Sequence, residues 1–227
     1  MKENVIQKLT DREHILLRPN MYAGSVEETE REILILEQDK FVYKTVKYIP
    51  AIIKIIEEII DNSVDEAIRT NFKFSNVIKI KYNTDGYFIV EDNGRGVPQT
   101  LNDENIPLPV VAFTEAKSGS NFNSETKANG IGTNGVGSYI CNVFSTEFIV
   151  ETYDGNNKLT LNCTNNALFS NYNIKKSSKS SGTIIKFKPD LEKFNVQKLD
   201  DVYFKILENR LYHLAQSFPD ISFHVNF

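Results

Sequence analysis

The sequence predicts an α+β fold in two layers, a mixed but mostly antiparallel sheet with helices on one face. Three observations carry this expectation. Short segments of β-forming, alternating residues arrive as hairpins, of which 76–83 joined to 87–92 through Thr84-Asp85-Gly86 is the plainest. One segment, from Pro50 to about Arg69, instead repeats isoleucine at helical spacing. The other helical segments fall irregularly among the strands, which argues against a doubly wound parallel sheet.

Taken in order, Thr10 to Leu17 suits a short helix with Thr10 or Asp11 as N-cap, Glu13 at the capping-box position and Arg18-Pro19 as the stop. "NMYAGS" then reads as a loop. Residues 31–37 and 41–48, joined by a short polar connection, read as a hairpin. Pro50 is placed for the first turn of the isoleucine helix. Pro107 to Glu115 suits a short helix, and the polar Gly, Ser and Asn stretch from Lys117 to Asn134 reads as a long functional loop or lid. Helical character resumes over Gly135–Val143. Strands follow near 144–153, 158–164 and 182–188, with "DGNN" as a turn and "KKSSKSSG" as a loop. A helix from about Leu199 to Gln216 and the strand "ISFHVNF" close the chain, and no internal repeat is present.

Composition narrows the function. With 227 residues, 41% apolar and 15 of them Phe, the chain can fill a sizeable core. Its net charge of -4, from 26 basic and 30 acidic side chains, leaves the chain as a whole without a basic footprint for nucleic acid. No apolar run approaches the roughly 20 residues that span a bilayer, and the N-terminus lacks a signal-peptide pattern, so the reading is cytoplasmic. The cysteines at 141 and 163 read as buried thiols, and the three scattered histidines at 14, 213 and 224 suggest no zinc site.

Chemistry concentrates in three places. On the isoleucine helix, "EEIIDNSVDE" (57–66) aligns Glu58, Asn62 and Asp65 at i, i+4 and i+7, with no cation between Lys54 and Arg69. An ordinary solvated face is one reading. The lack of interspersed lysines and the choice of Asn62, a weak helix former, favour oxygens kept for a hard cation such as Mg²⁺. The second place is "VEDNGRGVP" (90–98), a strand ending in Asp92 before Gly94 and Gly96. It is either a plain turn or a site where a carboxylate accepts a hydrogen bond from an exocyclic amine such as that of adenine. The third is "NGIGTNGVGSYICN" (129–142), whose Gly132, Gly135 and Gly137 lead into a helix and so offer backbone N–H groups to an anion. It matches neither a P-loop nor a dinucleotide fingerprint.

In combination, "EIIDNS", "DNGRGVP", "GTNGVG" and "GTIIKFKPD" (182–190) resemble, in order, the four nucleotide-binding motifs of the ATPase superfamily that includes gyrase, Hsp90, MutL and histidine kinases. "RPNMYAGS", "DNSVDEA" and "NGVGSYICNVFS" are similar to type IIA DNA topoisomerases, over roughly residues 9–227. The helix from Tyr48 to Phe74 is most similar to the T-even-type bacteriophage branch. The resemblance implies a Bergerat-type ATP-binding fold, with ATP and Mg²⁺ as cofactors. Glu58 would be the general base for the water attacking the γ-phosphate, and Asn62 would hold Mg²⁺. Asp92 would bind the adenine amine with Thr183 and a water beside it. Glu66 and Arg95 would pair to shape the adenine pocket, with Gly96, Val97 and Pro98 against the base. Ser120 and Asn121 would lie near the ribose, and Gly132, Thr133, Asn134, Gly135, Val136 and Gly137 would wrap the phosphates. The acidic helix charge would thus face the nucleotide site, balanced by Mg²⁺ and the glycine-loop amides.

The resemblance also implies an N-terminal arm (1–12) ahead of an ATP-binding domain (13–227), corresponding to the N-terminal part of a longer subunit with transducer and cleavage domains. Partners would be a second copy upon ATP binding, the remaining topoisomerase parts and, through them, DNA; no membrane is expected. By itself the chain would be a weak ATPase. One departure is Tyr139, where eukaryotic members carry a lysine, with Lys127 in the lid or a residue outside this chain as a substitute cation. A MutL- or Hsp90-like switch acting on proteins is the alternative, against which "RPNMYAGS" and "GTIIKFKPD" argue; a nucleotide-binding module without catalysis is disfavoured by Glu58 and Asn62.

Overall fold

The computed structural model describes residues 8–38, 40–116 and 135–227. The first helix, α1 (Asp11–Leu17), starts at the predicted capping box: the Glu13 N–H donates to Thr10 Oγ1 at 3.2 Å, and the Thr10 N–H donates to Glu13 Oε2 at 2.8 Å. A short 3₁₀ turn, Pro19–Met21, then breaks what reads in sequence as a loop. Strands β1 (Thr29–Glu37) and β2 (Lys40–Tyr48) form a separate antiparallel hairpin that buries Ile35 and Val46.

Helix α2 (Pro50–Arg69) begins with Pro50 in its first turn, where a missing N–H costs nothing. Ile52, Ile55, Ile56, Ile59, Ile60, Val64 and Ala67 are all fully buried. Each large side chain contributes about 2 kcal/mol on burial. That outweighs the modest helix propensity of isoleucine, so packing fixes the helix.

After α2 come β3 (Val77–Tyr82), β4 (Phe88–Asp92), α3 (Leu108–Thr114), α4 (Gly137–Val143) and β5 (Ser145–Tyr153). Then follow β6 (Asn157–Thr164), β7 (Phe169–Lys176), β8 (Gly182–Pro189), α5 (Asp201–Ser217) and β9 (Ser222–Asn226). The main sheet has the order β7-β6-β5-β8-β4-β3-β9, antiparallel except where β9 joins β3 in parallel. Alternate residues such as Ile80, Val90, Ile185, Phe187, Phe148 and Leu161 face the helices in one core. The expected two-layer α+β architecture is what the chain adopts.

Strand β7 has no counterpart among the predicted strands. All of its residues are exposed, so no inside–outside alternation marks it; pairing with β6 alone defines it. Cys141 and Cys163 are buried free thiols, as read from sequence, and burial pushes the Cys163 thiol up to about 11.

Candidate nucleotide site

A cavity of about 1200 Å³ opens between α2, the turn after β4, α3 and the start of α4. Asp92 ends β4 with its carboxylate held from two sides: the Ser63 hydroxyl donates to Oδ2 at 2.9 Å and the Gly94 N–H donates to Oδ1 at 2.8 Å. Burial pushes this carboxyl up to about 6, against the two hydrogen bonds that favour its anion. Thr183 pairs with Asp92 across the β4–β8 ladder. One wall of the cavity therefore presents a desolvated acceptor beside a threonine.

The following turn is fastened to the end of β5. The Val97 N–H donates to Thr152 Oγ1 at 2.8 Å, and Gln99 Nε2 donates to the carbonyls of Thr152 and Asn157, each at 3.1 Å. Gly96 adopts a φ of 71°, and a β-carbon there would overlap the Tyr153 carbonyl. The close approach that requires glycine is thus to the chain's own backbone, although Gly96 also lines the cavity.

At the opposite end, Glu58 reaches the first residue of α4, so close to Gly137 that a β-carbon on that residue would overlap the carboxylate. Asn62 Nδ2 donates to Ser138 Oγ at 2.8 Å, which leaves the Asn62 carbonyl oxygen for other partners. Gly135 and Val136 line the same end.

The acidic stripe is not balanced as the sequence suggested. Lys54 Nζ pairs with Glu58; Arg95 grips Glu66 with two bonds, Nε to Oε1 at 2.7 Å and Nη2 to Oε2 at 3.1 Å; Arg69 lies 3.6 Å from Glu66. Toward α5, Arg210 meets Asp61 at 3.1 Å and Glu57 at 3.8 Å. Burial raises the pKa of both Glu57 and Asp61, with Arg210 opposing. Cations from within α2 and from other elements, not ligands alone, make this charge tolerable. For Lys54, burial works against the ammonium, but the pairing with Glu58 outweighs it and its pKa is raised.

Residues 48–193 match the family of histidine kinase-, DNA gyrase B- and HSP90-like ATPases. The chain belongs to that family. It is 40% identical to the DNA topoisomerase large subunit of Enterobacteria phage T4, over all of this chain and 43% of the relative. It is 35% identical to DNA topoisomerase 2 of Drosophila melanogaster, over 99% of this chain and 16% of the relative. The fold matches the ATPase region of Saccharomyces cerevisiae topoisomerase II with a TM-score of 0.91 at 32% identity, covering 97% of this chain and 60% of that one. The chain spans less than half the length of the two curated relatives.

Within this ATPase family member, the predicted site residues Glu58, Asn62, Glu66, Asp92, Arg95, Gly96, Val97, Pro98, Gly135, Val136, Gly137 and Thr183 all line the one cavity. Ser120, Asn121, Lys127, Gly132, Thr133 and Asn134 lie outside the described residues. Tyr139 is buried in the core, and burial raises its pKa. Sequence reasoning missed Lys54, Ser63 and Ser138. Lys54 stands four residues before Glu58, a spacing that could have revealed the pair. Ser63 and Ser138 carry no local signal, because their partners are brought by the fold.

No group of three or more His, Cys, Asp or Glu among the described residues could hold a metal ion. The donor set, one free amide oxygen beside Glu58, fits Mg²⁺, which takes few protein ligands and completes its shell with phosphates and water. Also among the described residues, no helix is long and apolar enough to cross a membrane.

Proposed function

We propose that the chain is the ATP-operated part of a type IIA DNA topoisomerase, binding Mg-ATP, pairing with a second copy, and parting on hydrolysis to drive strand passage. The observation that carries this reading is the polarity of the cavity: a desolvated Asp92 at one end, and Glu58 with Asn62 against the α4 start at the other. An adenine amine suits the first and a triphosphate the second. The relatives, all DNA topoisomerases, favour this over a protein-remodelling switch.

In this reading Asp92 accepts the adenine amine while Thr183 stands beside it, and the Glu66–Arg95 pair closes the flank of the base. Gly135 and Gly137 let backbone N–H groups approach the phosphates. Glu58, oriented by Lys54, holds the water in line with the γ-phosphorus and takes its proton. Asn62, oriented by Ser138, offers its amide oxygen to Mg²⁺, which when bound neutralises developing phosphate charge. Transducer and cleavage functions fall to other parts of the topoisomerase, and the enzyme works in the cytoplasm. The separate chain turns over ATP slowly.

Calorimetric titration with a non-hydrolysable ATP analogue, with and without Mg²⁺, tests the reading. Saturable binding that Asp92→Ala abolishes and Glu58→Ala spares, with turnover lost in Glu58→Ala, is the expected result. Binding unaffected by Asp92→Ala, or turnover surviving Glu58→Ala, would overturn it.

A further inference from the structure

The net charge of -4 conceals an uneven distribution. Residues that alternate with the core positions of the sheet point to its helix-free face, and lysines dominate there: Lys79 and Lys81 on β3, Lys158 on β6, Lys186 and Lys188 on β8, with Lys179 at the rim. No arginine stands among them. Three carboxylates share the face. Glu91 meets Lys79 at 3.7 Å and Lys179 at 3.8 Å, Glu151 meets Lys158 at 2.5 Å, and Glu147 lies opposite Lys188 in the β5–β8 ladder.

Lys81, Lys175, Lys186 and Lys188 have no ion pair among the described residues, and Lys81, Lys186 and Lys188 stand together on β3 and β8, away from the β7 edge. Tyr87 positions two of them. Lys186 Nζ sits 3.9 Å and Lys188 Nζ 5.5 Å from the centroid of the Tyr87 ring, so one aromatic ring gathers both ammonium groups on a central strand. Lys81 lies on the same row as Lys186, with Ile89 of β4 between them. Strand geometry puts Lys186 and Lys188 about 7 Å apart, and Lys81 about 10 Å from Lys186.

About 10 Å of duplex axis carries about three phosphates on each strand, since charges recur about every 3.4 Å of axis per strand. Three hydrated point charges on a flat face, with no guanidinium forks to read base edges, match a phosphate backbone better than they match a base sequence. We propose that the helix-free face of the sheet is a sequence-independent docking surface for duplex DNA, centred on Lys81, Lys186 and Lys188. The choice of DNA over other polyanions rests on the topoisomerase reading; the surface itself is independent of the nucleotide cavity, which lies on the other face.

The test is fluorescence anisotropy of a labelled duplex of about 30 base pairs titrated with the chain between 50 and 200 mM salt. The triple variant Lys81→Gln/Lys186→Gln/Lys188→Gln is compared with Lys44→Gln/Lys47→Gln on the β1–β2 hairpin. ATP-analogue calorimetry and thermal melting accompany each protein. The expected result is a salt-dependent affinity whose log–log slope flattens by about 3 in the triple variant, with more than about tenfold weaker binding at 50 mM salt. The hairpin variant should match the unaltered chain, and ATP-analogue binding and melting should hold in both. Absence of duplex binding at 50 mM salt, an unchanged triple variant, or equal competition by poly-glutamate of matched charge would each overturn the proposal. Loss of ATP-analogue binding by the unaltered chain would instead defeat the nucleotide reading and leave this surface standing.

Discussion

The carboxylate of Glu58 occupies the space in which a side chain at residue 137 would have to begin. The two residues come from different helices, and the absence of a β-carbon on Gly137 is what lets the start of α4 close over the middle of α2. Gly137→Ala should therefore displace Glu58 from its position at the phosphate end. Steady-state ATPase should drop by about 100-fold, as expected when a reacting group shifts by about 1 Å. Melting temperature and analogue affinity should change far less. Comparable losses in melting and in turnover would show that the glycine serves packing alone.

Asp92 makes nucleotide affinity sensitive to pH. Its folded pKa of about 6 lies above the ordinary 3.8, so its contribution to stability is complete below about pH 4 and disappears as pH rises through 6. Holding it ionised at neutral pH costs the folded chain on the order of 3 kcal/mol. An amine donor needs the ionised form. Affinity for an ATP analogue should fall by about tenfold between pH 7.5 and pH 5 beyond any drop seen for Asp92→Asn, which titrates the nucleotide's own phosphates alone. Parallel profiles for the two proteins would remove Asp92 from the adenine contact.

Lys54→Met removes the cation that pairs with Glu58 and keeps the length of the side chain. It should lower kcat by about tenfold with little effect on analogue affinity, because the pair orients the base and does not touch the base-binding end of the cavity. Single-turnover hydrolysis by quench-flow separates this from a binding defect; a change confined to KM would refute the orienting role.

Arg210→Ala leaves Glu57 and Asp61 facing each other on α2 without their cation. A loss of about 2 kcal/mol is expected, below the range for fully buried pairs because the Arg210 side chain is 35% exposed. Both carboxyls already have raised folded pKa values, and the substitution raises them further. The gap in stability between variant and unaltered chain should thus be small near pH 4 and widen toward pH 7. Urea unfolding at the two pH values measures it; a pH-independent gap would mean that lost packing by the arginine stem dominates.

Local order was legible in the sequence and long-range pairing was not. The isoleucine spacing of α2, the capping box at Thr10 and the Thr84-Asp85-Gly86 turn are short-range devices, and each produced the element it announced. The nucleotide motifs could be read because each is contiguous. Arg210 lies 149 residues from Asp61, and Ser63 lies 29 from Asp92, so nothing near either residue announces its partner. Strand β7 escaped for a related reason: it buries no face, so it carries no hydrophobic period.

The parallel joining of β9 to β3 bears on how the chain folds. Val77 lies opposite Ser222, so the last strand of the main sheet to be synthesised pairs with one of the first. Until residues 222–226 leave the ribosome, one edge of β3 has only water for a partner, and loop closure across nearly the whole domain must precede any gain from the ladder. The β3–β4 hairpin can form early by itself. Sheet completion is consequently the late, slow event of folding, and the interval before it is when an unpaired β3 edge is most open to pairing with another chain.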